Sequence, residues 1–211
     1  MATEKYESRL HQGYAELLEE ASRFYMTQGN VYDTLRRLVW RLEQEKIPYA
    51  LIGGMALAAH GFVRMTQDVD LLMTAEGLAA FRERCAGRGY VPAFPGALKT
   101  FRDTETHVRI EVITTGEYPG DGKPKAVSFP EPMQASFEQE GIRVITIDKL
   151  VELKLASGIS APHRLRDLAD VQDLITALEL PLAFAERLDP SVRDRFRELW
   201  NAARTPDESS G

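Results

Sequence analysis

A chain of 211 residues is long enough for one sizeable core with a smaller appendage, and 44% hydrophobic with 27% charged residues is an ordinary globular balance. The net charge of −6 argues against a protein that coats nucleic acid by bulk electrostatics, and leaves room only for a local basic groove drawn from Lys99, Arg102, Arg109, Lys123 and Lys125. No apolar run approaches the ~18 residues of a membrane span, and the polar opening MATEKYESRLHQ does not read as a secretory signal. The single cysteine, Cys85, permits no intramolecular disulfide, so a cytoplasmic location without membrane contact is the expectation.

Residues 4–45 read as helical, because Leu17, Leu18 and Ala21, then Leu35, Leu38, Val39 and Leu42, recur at helical spacing on either side of Gly29-Asn30. The run IPYALI (47–52) suits a short strand, 55–59 a short helix ended by Gly61, and 63–73 an alternating strand. Residues 78–88 read as a helix closed by Gly89. Strands are expected at 98–102 and 108–113 around the turn-like DTET, and another at 142–147. The glycine- and proline-rich stretch 117–132 reads as a long loop suited to a substrate lid. Helices are expected over 148–157 (before Gly158), 164–178 and 191–203, and the tail TPDESSG is expected to be disordered. The chain therefore divides into a helical segment (1–46), an α/β core (47–147), a helical segment completing a site (148–204) and a tail (205–211), an α+β class.

The segment LIGGMALAAHGFVRMTQDVDLL carries most of the chemistry. Gly53-Gly54 stands between a strand and a helix start, where free N–H groups and the helix dipole suit an anion; a simple turn is the competing reading. Arg64, Thr66, Asp68 and Asp70 alternate, so on one strand they would share a face, with Val69, Leu71 and Met73 opposite. Two carboxylates on one face repel, and a divalent metal would relieve both, whereas a salt bridge to Arg64 relieves one. Such oxygen donors suit Mg²⁺ or Mn²⁺; zinc is disfavoured because Cys85 and the four histidines show no ligand spacing.

A third acid, Glu111 in VRIEVIT, has two readings: a further metal ligand and proton acceptor, or half of a solvated Arg109/Glu111 strand face. Lys154 falls inside the apolar sector of its helix, as Asp167 does near that of the next, with Asp170 beside it. These three either form a buried ion pair or contact a triphosphate and orient it or the base.

Taken together, G-G, nine residues, Arg64, three residues, D-x-D, a later acid, then Lys154 and R-D-x-x-D resemble the polymerase-beta-type nucleotidyltransferases, most closely the group around the AbiEii toxins and related minimal enzymes. The resemblance spans roughly residues 47–175. It implies a mixed β-sheet flanked by helices and an enzyme, dependent on Mg²⁺ or Mn²⁺, that moves a nucleoside monophosphate from an NTP such as ATP to an acceptor hydroxyl. By matching motif, Gly53 and Gly54 would hold the triphosphate, Asp68 and Asp70 would bind metal, and Glu111 would stand for the third carboxylate, which is commonly Asp. Lys154, Asp167 and Asp170 match later motifs of the toxin group, and Arg64 matches the arginine of the first motif. The resemblance implies an acceptor at the tRNA 3′ end, with a protein or a small molecule as alternatives, a place in a toxin–antitoxin system and a possible antitoxin partner. The competing function is an inactive module of the same fold that binds nucleotide or a partner protein.

Overall fold

The computed structural model describes residues 29–62, 64 and 66–204. The expectations for residues 4–28, and for the tail from Thr205, lie outside them. The described chain forms two compact units, one around a sheet (to Glu117, and Phe129–Thr146) and one helical (Tyr118–Ser128, and from Ile147).

In the sheet unit, helix α1 (Asn30–Gln44) begins at Gly29, whose φ of 70° sets the entry turn. It buries Leu35, Leu38 and Leu42, the sector marked out by its helical spacing. Arg37 on its polar side donates two bonds to the Asp103 carboxylate, both at 3.0 Å. Strand β1 (Ala50–Ile52) runs directly into helix α2 (Gly53–Ala59). Gly61, at φ 88°, ends this helix: Gly61 N–H reaches Ala58 O and Phe62 N–H reaches Leu57 O. His60 sits at that end, buried, with Nε2 2.8 Å from the carbonyl of Ile145.

Strand β2 (Asp68–Met73) leads to helix α3 (Ala75–Arg84), whose N-cap Thr74 accepts from Gly77 N–H at 2.9 Å. Strands β3 (Tyr90–Pro92), β4 (Thr100–Asp103), β5 (Arg109–Thr114), β6 (Ser136–Gln139) and β7 (Ile142–Ile145) complete a seven-stranded mixed sheet in the order β3-β4-β5-β2-β1-β7-β6. The central pairs β2/β5 and β1/β7 are parallel, and the remaining pairs are antiparallel. Val69, Leu71, Ile110 and Val112 are essentially inaccessible and fill one side of the two central strands.

Three sequence expectations need correction here. The strand expected over 63–73 begins only at Asp68, because its ladder partners begin at Arg109 on β5 and end at Ile52 on β1. Arg64 and Thr66 therefore precede the strand instead of sharing its face. The helix expected to close at Gly89 ends at Arg84, with the left-handed Gly87 two residues past its C-cap. Two short edge strands, β3 and β6, were not foreseen.

In the helical unit, α4 (Ile147–Ser160), α5 (Leu165–Ala177) and α6 (Pro190–Ala202) pack around Val151, Leu155, Val171, Leu174 and Phe196. Gly158, expected as a helix stop, lies inside α4. A side chain there would meet Leu168 Cδ2 at 2.6 Å, so this glycine lets α5 approach closely. The segment 118–128 carries no helix or strand, as expected of the long loop, and rests on α4, with Ser160 Oγ donating to Pro119 O at 3.3 Å. Among the described residues no helix is long and apolar enough to cross a membrane.

Candidate functional site

Sheet register assembles the carboxylates. Asp68 pairs with Arg109 and Asp70 with Glu111 across the parallel β2/β5 ladder. Residues in register point to the same side of a sheet, so Asp68, Asp70, Arg109 and Glu111 occupy one face. On β4 the same rows continue through Arg102, paired with Arg109, and Thr100, paired with Glu111. The face is half-open: the side chains of Asp68, Glu111 and Arg109 are 36%, 39% and 40% exposed. Three sequence-predicted acids thus lie together at the N-terminal ends of two adjacent strands.

The glycine pair closes one side of this face. Gly53 has φ +66°, and a side chain there would fall 2.7 Å from Asp70 Cγ and 2.8 Å from its Cβ. At Gly54 a side chain would meet Thr66 Cβ and Oγ1, each at 2.7 Å. The room left by the missing side chains is therefore taken by Asp70 and Thr66. Thr66 is in turn tied back to β2, its hydroxyl donating to Asp68 O at 3.3 Å. Helix α2 has the apolar Ile52 at its N-cap, so no side-chain cap bond comes from that position.

Arg109 is the site residue that sequence reasoning placed only as half of a solvated face or as part of a basic groove. Its Nη2 donates to Glu111 Oε2 at 2.8 Å, and its Nη1 lies 3.6 Å from Asp68 Oδ2. The R-x-E spacing on a strand was the available signal, since i and i+2 share a face. Three of the other groove candidates, Lys99, Lys125 and Arg102, are engaged locally. Lys99 donates to Thr114 Oγ1 at 3.0 Å and pairs with Glu117, while Lys125 donates to Pro119 O at 2.6 Å. Burial pushes the Glu117 carboxyl up, but the bond from Lys99 and that from Thr114 N–H outweigh it and hold the carboxyl below its ordinary value. Arg102 donates to His107 O at 3.0 Å.

The donors suit a hard divalent cation by chemical type and by face. As placed, however, Arg109 holds two of the three acids, and among the described residues no group of three or more His, Cys, Asp or Glu side chains is gathered to hold a metal.

In the helical unit, Lys154, Asp167 and Asp170 meet as an ion triad. Lys154 Nζ donates to Asp170 Oδ2 at 2.6 Å and to Asp167 Oδ1 at 3.0 Å, and Ser157 Oγ donates to Asp167 Oδ2 at 2.6 Å. Asp170, with its side chain 3% exposed, is the deeper acid; Asp167 is 18% exposed. Ser157 was not foreseen, although its place one turn after Lys154 puts both on one side of α4.

No family model matches the chain, and no curated protein matches it. It is similar to several solved structures. One is an antigenic nucleotidyltransferase-like protein from Paracoccidioides brasiliensis (17% identity, TM-score 0.48, covering 71% of this chain and 77% of that one). Another is a protein from H. pylori assigned as a nucleotidyltransferase (17%, 0.48, 84% and 93%). A third is JHP933 from Helicobacter pylori (17%, 0.45, 82% and 89%).

Proposed function

We propose that the protein is a divalent-metal-dependent nucleotidyltransferase. The observation that carries this reading is the registered carboxylate face: Asp68, Asp70 and Glu111 on two adjacent parallel strands, with Gly53 packed against Asp70. Asp68 and Asp70 would hold the cation, Mg²⁺ or Mn²⁺, with Glu111 as a third oxygen donor. When bound, the cation supplies Lewis-acid stabilisation of charge on the α-phosphoryl group. The first-turn N–H groups at Gly53 and Gly54 would donate to the triphosphate. Glu111 would accept the proton of the acceptor hydroxyl. The acceptor oxygen then bonds to the α-phosphorus, the α–β phosphoanhydride bond breaks, and pyrophosphate leaves with the electron pair. The Lys154–Asp167–Asp170 cluster is accounted for as a buried ion triad, and the reading rests on the sheet unit alone.

Within this reading the acceptor is an RNA 3′ hydroxyl, of the tRNA kind implied by the toxin-like motifs, with ATP among the donors and an antitoxin as the regulating partner. A second reading, an inactive nucleotide- or partner-binding module, is favoured by one observation: Arg109 already pairs with both Asp68 and Glu111. Titration calorimetry with NTP and Mg²⁺ or Mn²⁺, run beside a pyrophosphate-release assay, separates the two. Binding with release supports the enzyme, and binding without release on RNA, protein or small-molecule acceptors supports the module.

A further inference from the structure

Two of the three acids of the carboxylate face, Asp68 and Glu111, share one guanidinium. Register fixes Arg109 there: it is the β5 partner of Asp68 and lies two residues before Glu111, so both acids flank it on the same side of the sheet. It bonds Glu111 at 2.8 Å and approaches Asp68 at 3.6 Å. On its other side stands Arg102, its register partner on β4. Like charges opposed across strands repel, so Arg102 and the two acids all drive Arg109 toward the carboxylates. The side chain is 40% exposed, so it leaves that position without breaking into the core. A divalent cation on Asp68 and Glu111 competes for the same oxygens and repels the guanidinium.

Resting on the nucleotidyltransferase reading, we propose that Arg109 is an exchangeable counter-cation of the site. It holds Asp68 and Glu111 in place in the absence of metal and is displaced from them when a divalent cation binds. Arg109 is thereby a positioning residue that sets the cation affinity of the face.

The test is Mn²⁺ binding to the full chain without nucleotide, followed by the electron paramagnetic resonance of free Mn²⁺. The proteins are the parent, Arg109→Ala, Arg109→Lys and Asp68→Asn, each checked for folding by circular dichroism. Two half-exposed ion pairs are lost in Arg109→Ala, so Mn²⁺ should bind about tenfold more tightly than to the parent. Arg109→Lys keeps the charge and should stay near the parent affinity. Asp68→Asn should bind more weakly. If Arg109→Ala binds no more tightly than the parent while Asp68→Asn weakens binding, the site is real and the exchange role of Arg109 is refuted. If the parent and Arg109→Ala both bind no better than Asp68→Asn, the metal-dependent reading itself falls, and this inference with it. Should Arg109→Ala fail to fold, Arg109→Gln carries the same comparison.

Discussion

Replacing Gly53 by alanine probes the junction on which the carboxylate face is built. Two penalties add at this position. A non-glycine residue at φ +66° pays about 1–2 kcal/mol for the left-handed backbone. The added Cβ falls within 2.8 Å of Asp70 Cγ and Cβ, an overpacking that costs about 1–3 kcal/mol as β2 shifts. Together these give about 2–5 kcal/mol. Gly54→Ala is the internal control, because it lacks the positive φ and suffers only the contact with Thr66 at 2.7 Å, about 1–3 kcal/mol. Urea denaturation followed by circular dichroism measures both, with equal m-values required for the comparison. Thr66→Gly in the Gly54→Ala background should recover most of the loss, since Thr66 lies outside the β2 ladder. The reasoning is refuted if Gly53→Ala stays within about 0.5 kcal/mol of the parent. It is refuted equally if Thr66→Gly fails to rescue Gly54→Ala.

Other outcomes follow from the same packing. Lys154→Met leaves Asp170 buried without its ammonium partner and should cost about 3–5 kcal/mol in chemical denaturation; a loss under about 1 kcal/mol would contradict the triad. Gly158→Ala should cost about 1–3 kcal/mol by pressing on Leu168, and pairing it with Leu168→Ala should make the two losses clearly less than additive. At Asp103, burial raises the carboxyl, but the N–H groups of Thr106 and Glu105 and the Arg37 guanidinium outweigh it, so the folded value lies below the unfolded one. Its contribution is therefore complete above the unfolded value and lost as pH falls through the folded one. The stability gap between the parent and Asp103→Asn should be full at pH 7 and shrink from about pH 4 downward; a gap independent of pH would show that the charge plays no part.

Much of this site was legible along the chain because its strongest signals are local. Alternation in DVDLL put Asp68 and Asp70 opposite Val69 and Leu71, and the β2 ladder keeps that separation. The apolar sector of α4 marked Lys154 as inward, and it is buried. What failed was information held by a partner elsewhere. The start of β2 is set by where β5 begins, so Arg64 and Thr66 read as strand although no ladder reaches them. Gly158 read as a stop because its partner, Leu168, belongs to another helix. Strands β3 and β6 are edges of three and four residues; Pro92 and the partly exposed run SFEQ conceal the alternation that marks central strands. The cationic partner of the Asp68/Asp70 pair was sought in a metal or, for one acid, in Arg64; for Asp68 the register supplies Arg109.

The central claim is nucleotidyl transfer at the carboxylate face. Its most direct measurement is incubation of the purified chain with α-phosphate-labelled NTP, Mg²⁺ or Mn²⁺ and total tRNA, scoring label in RNA and pyrophosphate released, for the parent, Asp68→Asn and Asp70→Asn. The account predicts matched label and pyrophosphate in the parent and loss of both in either variant, with the thermal unfolding of the variants close to that of the parent. Labelling that persists undiminished in Asp68→Asn and Asp70→Asn would contradict it, as would a folded parent that never releases pyrophosphate with any NTP, on RNA, protein or small-molecule acceptors.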